Sequence, residues 1–158
     1  MVNKLAGGDE NLLRDQIEAG HLIGNHSWNH PIITKLSRAS ARKQFEDTQN
    51  VIARYSPGHG SQLPFLRFPY GARTPDLISM VHQAGSTSVM WNIDTLDWKY
   101  TDPSVVLSIT KKQILNEGRG IILMHDIHRQ TVIALPAILQ YLSKKGAIMG
   151  QLQPIEAI

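Results

Sequence analysis

The chain has no cysteine among its 158 residues. This excludes disulfide frameworks, thiolate zinc sites and cysteine nucleophiles together, and it leaves the redox compartment open. No apolar run approaches the roughly 20 residues needed to cross a bilayer. Met1-Val2-Asn3-Lys4-Leu5 has no charged segment leading into an apolar stretch, so the sequence as written shows no signal peptide. There is no internal repeat, no linker and no break in composition. An apolar fraction of 42% with 18% charged residues, scattered evenly, excludes a disordered or low-complexity chain. The length suits one domain with a core of its own, over residues 1–158.

An excess of charge is also lacking, since the formal net charge is only +3. The basic residues are dispersed, and the pairs Lys111-Lys112 and Lys144-Lys145 fall on helix-like stretches, where they read as solvated faces or last-turn cations. No nucleic-acid partner is expected; attraction to an anionic polymer such as a cell wall stays open.

What is present is an alternation of elements. Apolar spacing predicts a helix over 9–19 ending at Gly20, a short strand over 21–24, and a helix over 37–55 with Ser37 as its cap and Pro57-Gly58-His59-Gly60 as its break. A strand follows at 65–68, then a helix opened by Thr74-Pro75 and a strand at 88–91. Pro103 opens a helix closing near Gly118, and the β-branched run 121–124 reads as a strand buried on both faces. A helix over 132–142 and a closing strand over 147–152 complete the chain. Strands alternating with helices predict an α/β fold with a mostly parallel sheet or barrel, whose active residues sit on loops after the strands.

That rule singles out four segments: His26-Ser27-Trp28-Asn29-His30, Arg67-Phe68-Pro69-Tyr70-Gly71, Asp94-Thr95-Leu96-Asp97-Trp98 and His125-Asp126. Two histidines four apart can offer both imidazoles to one metal if the segment takes a helical turn, and imidazole pairs favour zinc. The plain alternative is two unrelated loop histidines. Arg67 is either a surface ion-pair partner or a guanidinium that positions a carboxylate through a two-pronged hydrogen bond. Asp94 and Asp97 taken singly are ordinary turn or cap residues, whereas Trp98 on a loop is a platform for a sugar ring. His125 is either a satisfied core histidine or, paired with Asp97, a general acid. His21, His59 and His82 read as surface or packing residues, and His128 as a loop histidine that lines the cleft if it has a role. Asn25-His26-Ser27 is a formal glycosylation sequon whose overlap with the histidine segment argues against its use.

Together the four segments resemble the polysaccharide deacetylases of the NodB-homology type, carbohydrate esterase family 4. His26-Ser27-Trp28-Asn29-His30 is similar to that family's His-Ser/Thr-x-x-His motif, and Arg67-Phe68-Pro69-Tyr70-Gly71 to Arg-x-Pro-Tyr-Gly. Asp94 to Trp98 resembles Asp-x-x-Asp-Trp, and Leu123-Met124-His125-Asp126 resembles Leu-x-His-Asp, in the family's order over nearly the whole chain. The resemblance implies a distorted (β/α) barrel that removes N-acetyl groups from N-acetylglucosamine polysaccharide, peptidoglycan or chitin-like. It implies that His26 and His30 bind the metal (zinc, or cobalt, manganese or nickel) and that His125 is the general acid, oriented by Asp97. It further implies Tyr70 as backbone oxyanion donor and Arg67 as holder of the base. Trp98, Leu123, Pro69 and Asp94 would line the substrate site. An O-acetyl xylan esterase and a glycan-binding remnant of the same fold are the rival readings. The implied partner is a polysaccharide, with no protein partner identified, and the implied location is the cell envelope or outside the cell.

The resemblance also implies an opening Thr-Phe-Asp-Asp-Gly-Pro motif that carries the base and a third metal ligand. Residues 1–158 do not contain it. Met1-Val2-Asn3 is similar to the tail of the family's second strand, so the expectation is a barrel N-terminally incomplete, with the first strand and first helix missing. Three origins stay open: a fragment or misplaced start, a truncated paralogue that binds glycans, or a site completed by another carboxylate or chain. Weak zinc binding and feeble activity of the chain as it stands are expected, with recovery when an upstream strand ending in Asp-Asp is restored.

Overall fold

The computed structural model describes residues 10–55 and 63–153. They form two compact units, the first from the described residues up to Val89 together with 151–153, the second from 90–150. The break at Pro57-Gly58-His59-Gly60, and Met1-Val2-Asn3, lie outside the described residues.

In the first unit helix α1 (Glu10–Glu18) precedes a 3-10 turn (Ile33–Lys35) and helix α2 (Arg38–Tyr55). Ser37 Oγ accepts from the Ser40 amide at 3.2 Å, satisfying an amide of the first turn that has no partner within the helix. Ala41, Phe45, Thr48 and Ile52 are all buried. Their spacing of three or four residues is the stripe a helix turns towards a core. Strand β1 (Phe65–Leu66), a 3-10 turn (Pro69–Gly71), helix α3 (Pro75–Gln83) and strand β2 (Thr87–Ser88) follow. Thr74 caps α3 by accepting from the Leu77 amide, and Pro75 occupies the first helical position, where no N–H is needed. The core joins Ile33, Ala41, Phe45, Leu66, Phe68, Leu77, Met80 and Val81. Phe45 and Phe68 meet edge to face with ring centroids 5.6 Å apart, a favoured aromatic geometry. A second cluster, Leu13, Ile52 and Leu63, seats α1 on α2.

β1 and β2 are parallel, with Phe65 opposite Thr87 and Leu66 opposite Ser88. Asn25 adds a parallel bridge to Leu66, its amide donating to Phe65 O at 2.8 Å and its carbonyl accepting from Arg67 at 2.9 Å. Parallel pairing brings the chain out at one end of every strand, and His26 and Arg67 therefore leave on the same side.

In the second unit β3 (Ile93–Asp94) pairs in parallel with β4 (Ile122–Leu123), flanked by α4 (Pro103–Glu117) and α5 (Arg129–Lys144). Asp102 caps α4 through the Ser104 amide at 2.8 Å, and Gly118 ends it at φ 69°. Val106, Ala134 and Ile138 hold the two helices together. Gly120 (φ 149°) has no room for a side chain, because a Cβ there would fall 1.8 Å from Asn92 Oδ1. That oxygen accepts from the Ile121 amide at 3.0 Å and sets the entry to β4. Gln113 of α4 lies along the outer edge of β3. Its Oε1 accepts from Asp94 N at 2.7 Å and its Nε2 donates to Asp94 O at 2.6 Å.

The helices match the sequence reading within a few residues, and the strands depart from it. Residues 21–24 form no strand, since ladder bonding starts only at Asn25. The expected strand at 88–91 is instead β2, ending at Ser88, and β3 was not anticipated. The run 121–124 is not buried on both faces: Ile121 is 37% exposed and only Leu123 is buried. Residues 147–153 pair with nothing in a ladder, and Ile148 is fully exposed. Among the described residues the strands pair as two separate two-stranded sheets, with no closed ring.

Phe68 is fully buried, so Phe68→Ala should leave a cavity and cost about 3–5 kcal/mol. Urea unfolding should show this as a lower midpoint at unchanged slope.

Candidate active site

The histidine segment is not a helical turn but a bent loop, with Ser27 at φ 65° and His30 at φ 60°. It nonetheless brings the two rings together edge to face, with centroids 4.9 Å apart. His30 also meets the Tyr70 ring at 4.6 Å, a contact that sequence reasoning missed. His26 Nδ1 lies 2.6 Å from Arg67 O. A carbonyl can only accept, so Nδ1 carries the hydrogen and Nε2 keeps its lone pair. Burial lowers the His26 pKa, and the neighbouring Arg67 charge lowers it further. The bond to the Arg67 carbonyl works the other way, and the net result is about 3. The ring is therefore neutral at pH 7, the state a metal ligand needs. The donor set fits a divalent ion of imidazole preference, although no group of three His, Cys, Asp or Glu among the described residues is placed to hold one.

Asn25 is buried, with both ends of its amide engaged, on Phe45 O at 2.9 Å and Ser27 N at 3.0 Å. Glycosylation at the sequon is incompatible with that position. The turn at 69–71 holds Tyr70 at φ 58° with the residue 66% exposed, while neighbouring Pro69 is fully buried.

In the second unit Asp97 is fully buried and grips His125 twice. Its Oδ1 is 2.7 Å from the ring Nδ1, and its Oδ2 accepts from the His125 amide at 2.6 Å. Thr131 Oγ1 donates to Oδ2 at 2.7 Å, and Gln130 Nε2 donates to the Asp97 carbonyl at 2.7 Å. Burial alone would raise the Asp97 pKa, but the Thr131 hydroxyl and the His125 ring and amide outweigh it and hold the group below the ordinary carboxylate value. Ionised Asp97 thus accepts the Nδ1–H of His125 in a hydrogen bond and leaves Nε2 as the nitrogen available for proton transfer. The neighbouring His128 ring is 5.7 Å from that of His125. Asp94 behaves as a turn residue, its Oδ1 accepting from Leu96 N at 2.9 Å, and Leu96 has φ 53°. Trp98 is 56% exposed, whereas Leu123 is buried. His21 and His82 are exposed, as expected.

Sequence reasoning also overlooked Gln44, Gln130 and Thr131. Starting the last helix at 132 left Gln130 and Thr131 outside it, whereas the helix starts at Arg129 and puts both in its first turn.

Among the described residues the four non-glycine positions with positive φ, Ser27, His30, Tyr70 and Leu96, all lie in these loops; such conformations persist where surrounding structure over-determines them. The class this defines is an α/β protein with imidazole, guanidinium and carboxylate groups on strained loops after parallel strands. Comparison with known proteins narrows it. The sequence profile of the polysaccharide deacetylase family matches residues 1–89. Peptidoglycan-N-acetylglucosamine deacetylase PgdA of Listeria monocytogenes is 35% identical over 136 residues, covering 85% of this chain and 27% of that protein. Peptidoglycan-N-acetylmuramic acid deacetylase PdaC of Bacillus subtilis is 33% identical over 149 residues, covering 94% and 30%. A family 4 carbohydrate esterase from Streptomyces lividans, solved with acetate, superposes with a TM-score of 0.83 at 32% identity, covering 96% of this chain and 76% of that one. The chain spans about a third or less of the length of these two curated relatives. It belongs to the polysaccharide deacetylase family, carbohydrate esterase family 4, a family of hydrolases.

Thr131→Val removes one donor from a buried carboxylate and should cost about 1–3 kcal/mol at neutral pH. Because the folded-state pKa of Asp97 is depressed, its contribution is present above the ordinary carboxylate value of 3.8 and is lost as pH falls through the folded value. The substitution should raise the Asp97 pKa and move acid unfolding to higher pH, measured by circular dichroism.

Proposed function

We propose that this chain is the NodB-type domain of a metal-dependent de-N-acetylase acting on N-acetylglucosamine-containing polysaccharide, peptidoglycan or chitin-like. Both units are read as one domain over residues 1–158, of the (β/α) barrel type. The observation that carries the reading is the His26–His30 pair, two imidazoles with centroids 4.9 Å apart, one of them fixed as its Nδ1–H tautomer. The names of PgdA and PdaC support peptidoglycan as substrate, and with it a place in the cell envelope or outside the cell. No helix among the described residues is long and apolar enough to cross a membrane.

In this reading His26 and His30 hold the ion, zinc or another divalent metal such as cobalt, manganese or nickel. When bound, it supplies Lewis acidity towards the acetamide carbonyl and lowers the pKa of the attacking water. His125 gives the proton on Nε2 to the leaving amine, and buried Asp97 keeps the ring in that tautomer and orientation. The Tyr70 amide donates to the developing oxyanion, while the Tyr70 ring steadies His30. Arg67 fixes His26 through its carbonyl, and its guanidinium would hold the catalytic base that the Asp-Asp segment, not contained in residues 1–158, would supply. Exposed Trp98 offers its face to a sugar ring; Leu123, Pro69 and Asp94 are assigned to substrate binding.

The test is acetate release from N-acetylglucosamine oligomers and, in parallel, from acetylated xylan, with zinc supplied. Release from the amide substrate should be feeble from the chain as it stands, rise when an upstream strand ending in Asp-Asp is restored, and then fall about 10²–10⁴-fold in His125→Ala, the usual worth of general acid catalysis. Release from the xylan alone would point to the esterase. Retained glycan binding with no release from either substrate would point to a binding remnant.

A further inference from the structure

The loop that carries the two histidines is held in an unusual way. Four consecutive amides each donate to a side-chain oxygen. Ser27 N donates to Asn25 Oδ1 at 3.0 Å, and Trp28 N and Asn29 N donate to Gln44 Oε1 at 3.2 and 3.1 Å. His30 N donates to Ser27 Oγ at 3.1 Å. Of these acceptors Ser27 belongs to the segment itself and moves with it, while Asn25, fixed on β1 and on Phe45 O, holds only the first amide of the loop. Gln44 belongs to α2, between the buried Ala41 and Thr48 and beside the buried Phe45. The core therefore fixes where its oxygen stands. Both of its partners are N–H donors, so the amide must present its oxygen, and any side chain lacking one there leaves two amides without that acceptor.

We infer that Gln44 is a positioning residue for the metal-holding pair: by clamping the middle of the loop to α2 it keeps the His26 and His30 rings at their observed separation. The inference rests on the proposed metal role of those histidines and assigns the loop's anchorage to a residue outside the segment. An acceptor oxygen is the requirement. Glutamate meets it with nearly the same shape, and methionine has the length without the oxygen.

The test compares Gln44→Met and Gln44→Glu with the unsubstituted chain, using two readouts. Amide hydrogen exchange by NMR follows Trp28 and Asn29, and calorimetry follows zinc binding, with His30→Ala as the control for site. Gln44→Met should speed exchange at both amides at least tenfold and weaken zinc binding tenfold or more, with core amides of α2 still protected. Gln44→Glu should restore protection and affinity. Zinc affinity within twofold of the unsubstituted chain in Gln44→Met, or a tenfold loss in Gln44→Glu, would overturn the positioning role. If zinc uptake by the unsubstituted chain is indifferent to His30→Ala, the metal reading itself fails and Gln44's role in it goes too. That result differs from a His30-dependent site that ignores Gln44.

Discussion

Asn25 is the residue on which the first unit turns. Its backbone amide and carbonyl knit the end of its segment to β1, its Nδ2 reaches the Phe45 carbonyl in α2, and its Oδ1 receives the amide of Ser27. A single buried residue thus ties sheet, helix and histidine loop to one another. Burying so much polarity is tolerable only because every one of these groups is matched. Aspartate, nearly the same in shape, would replace the donor to Phe45 by a second acceptor and place a charge beside a carbonyl. Next to Asn25 the backbone passes at once into the left-handed conformation of Ser27, and His26 stands between the two.

The second unit solves a related problem with a charge. A carboxylate without exposure is expensive unless its lone pairs are taken up, and Asp97 achieves this with the hydroxyl of Thr131 and two donors of His125. Two of the three donors come from the residue it orients, so the carboxylate and the imidazole are folded as one object. The first turn of α5 completes it, for Gln130 secures the Asp97 backbone while Thr131 secures its side chain.

Much of this was legible in the sequence where chemistry is local. Thr74-Pro75 announces a helix start because a capping oxygen followed by a residue with no N–H meets the needs of a first turn, Pro103 opens the next helix in the same way, and Gly118 marks a stop for the complementary reason. The residue types of the four loops pointed to metal and proton chemistry, and the family followed from them. The strands were harder. Those formed here are two residues long, too short for alternation to register, and whether 21–24 or 147–152 joins a sheet depends on a neighbour that no local pattern specifies. The bent conformation of the histidine loop escaped for the same reason. A helical turn was the simplest way to bring His26 and His30 together, yet two left-handed residues do it under restraint from a glutamine fourteen positions beyond His30. Long-range hydrogen bonds from Gln44 and Thr131 leave no trace in periodicity.

The amide of Gln113 along β3 has a consequence for assembly. A strand at the border of a sheet offers bare N–H and C=O groups to any extended chain that drifts past, a standing invitation to aggregate. At Asp94 both groups are already engaged by one side chain of the same molecule, in the manner of a missing neighbour. Because the engaging group is an amide on a helix, it completes the bonding without supplying a further edge. At Asp94 the sheet edge therefore presents no free backbone N–H to an extended chain passing beside β3.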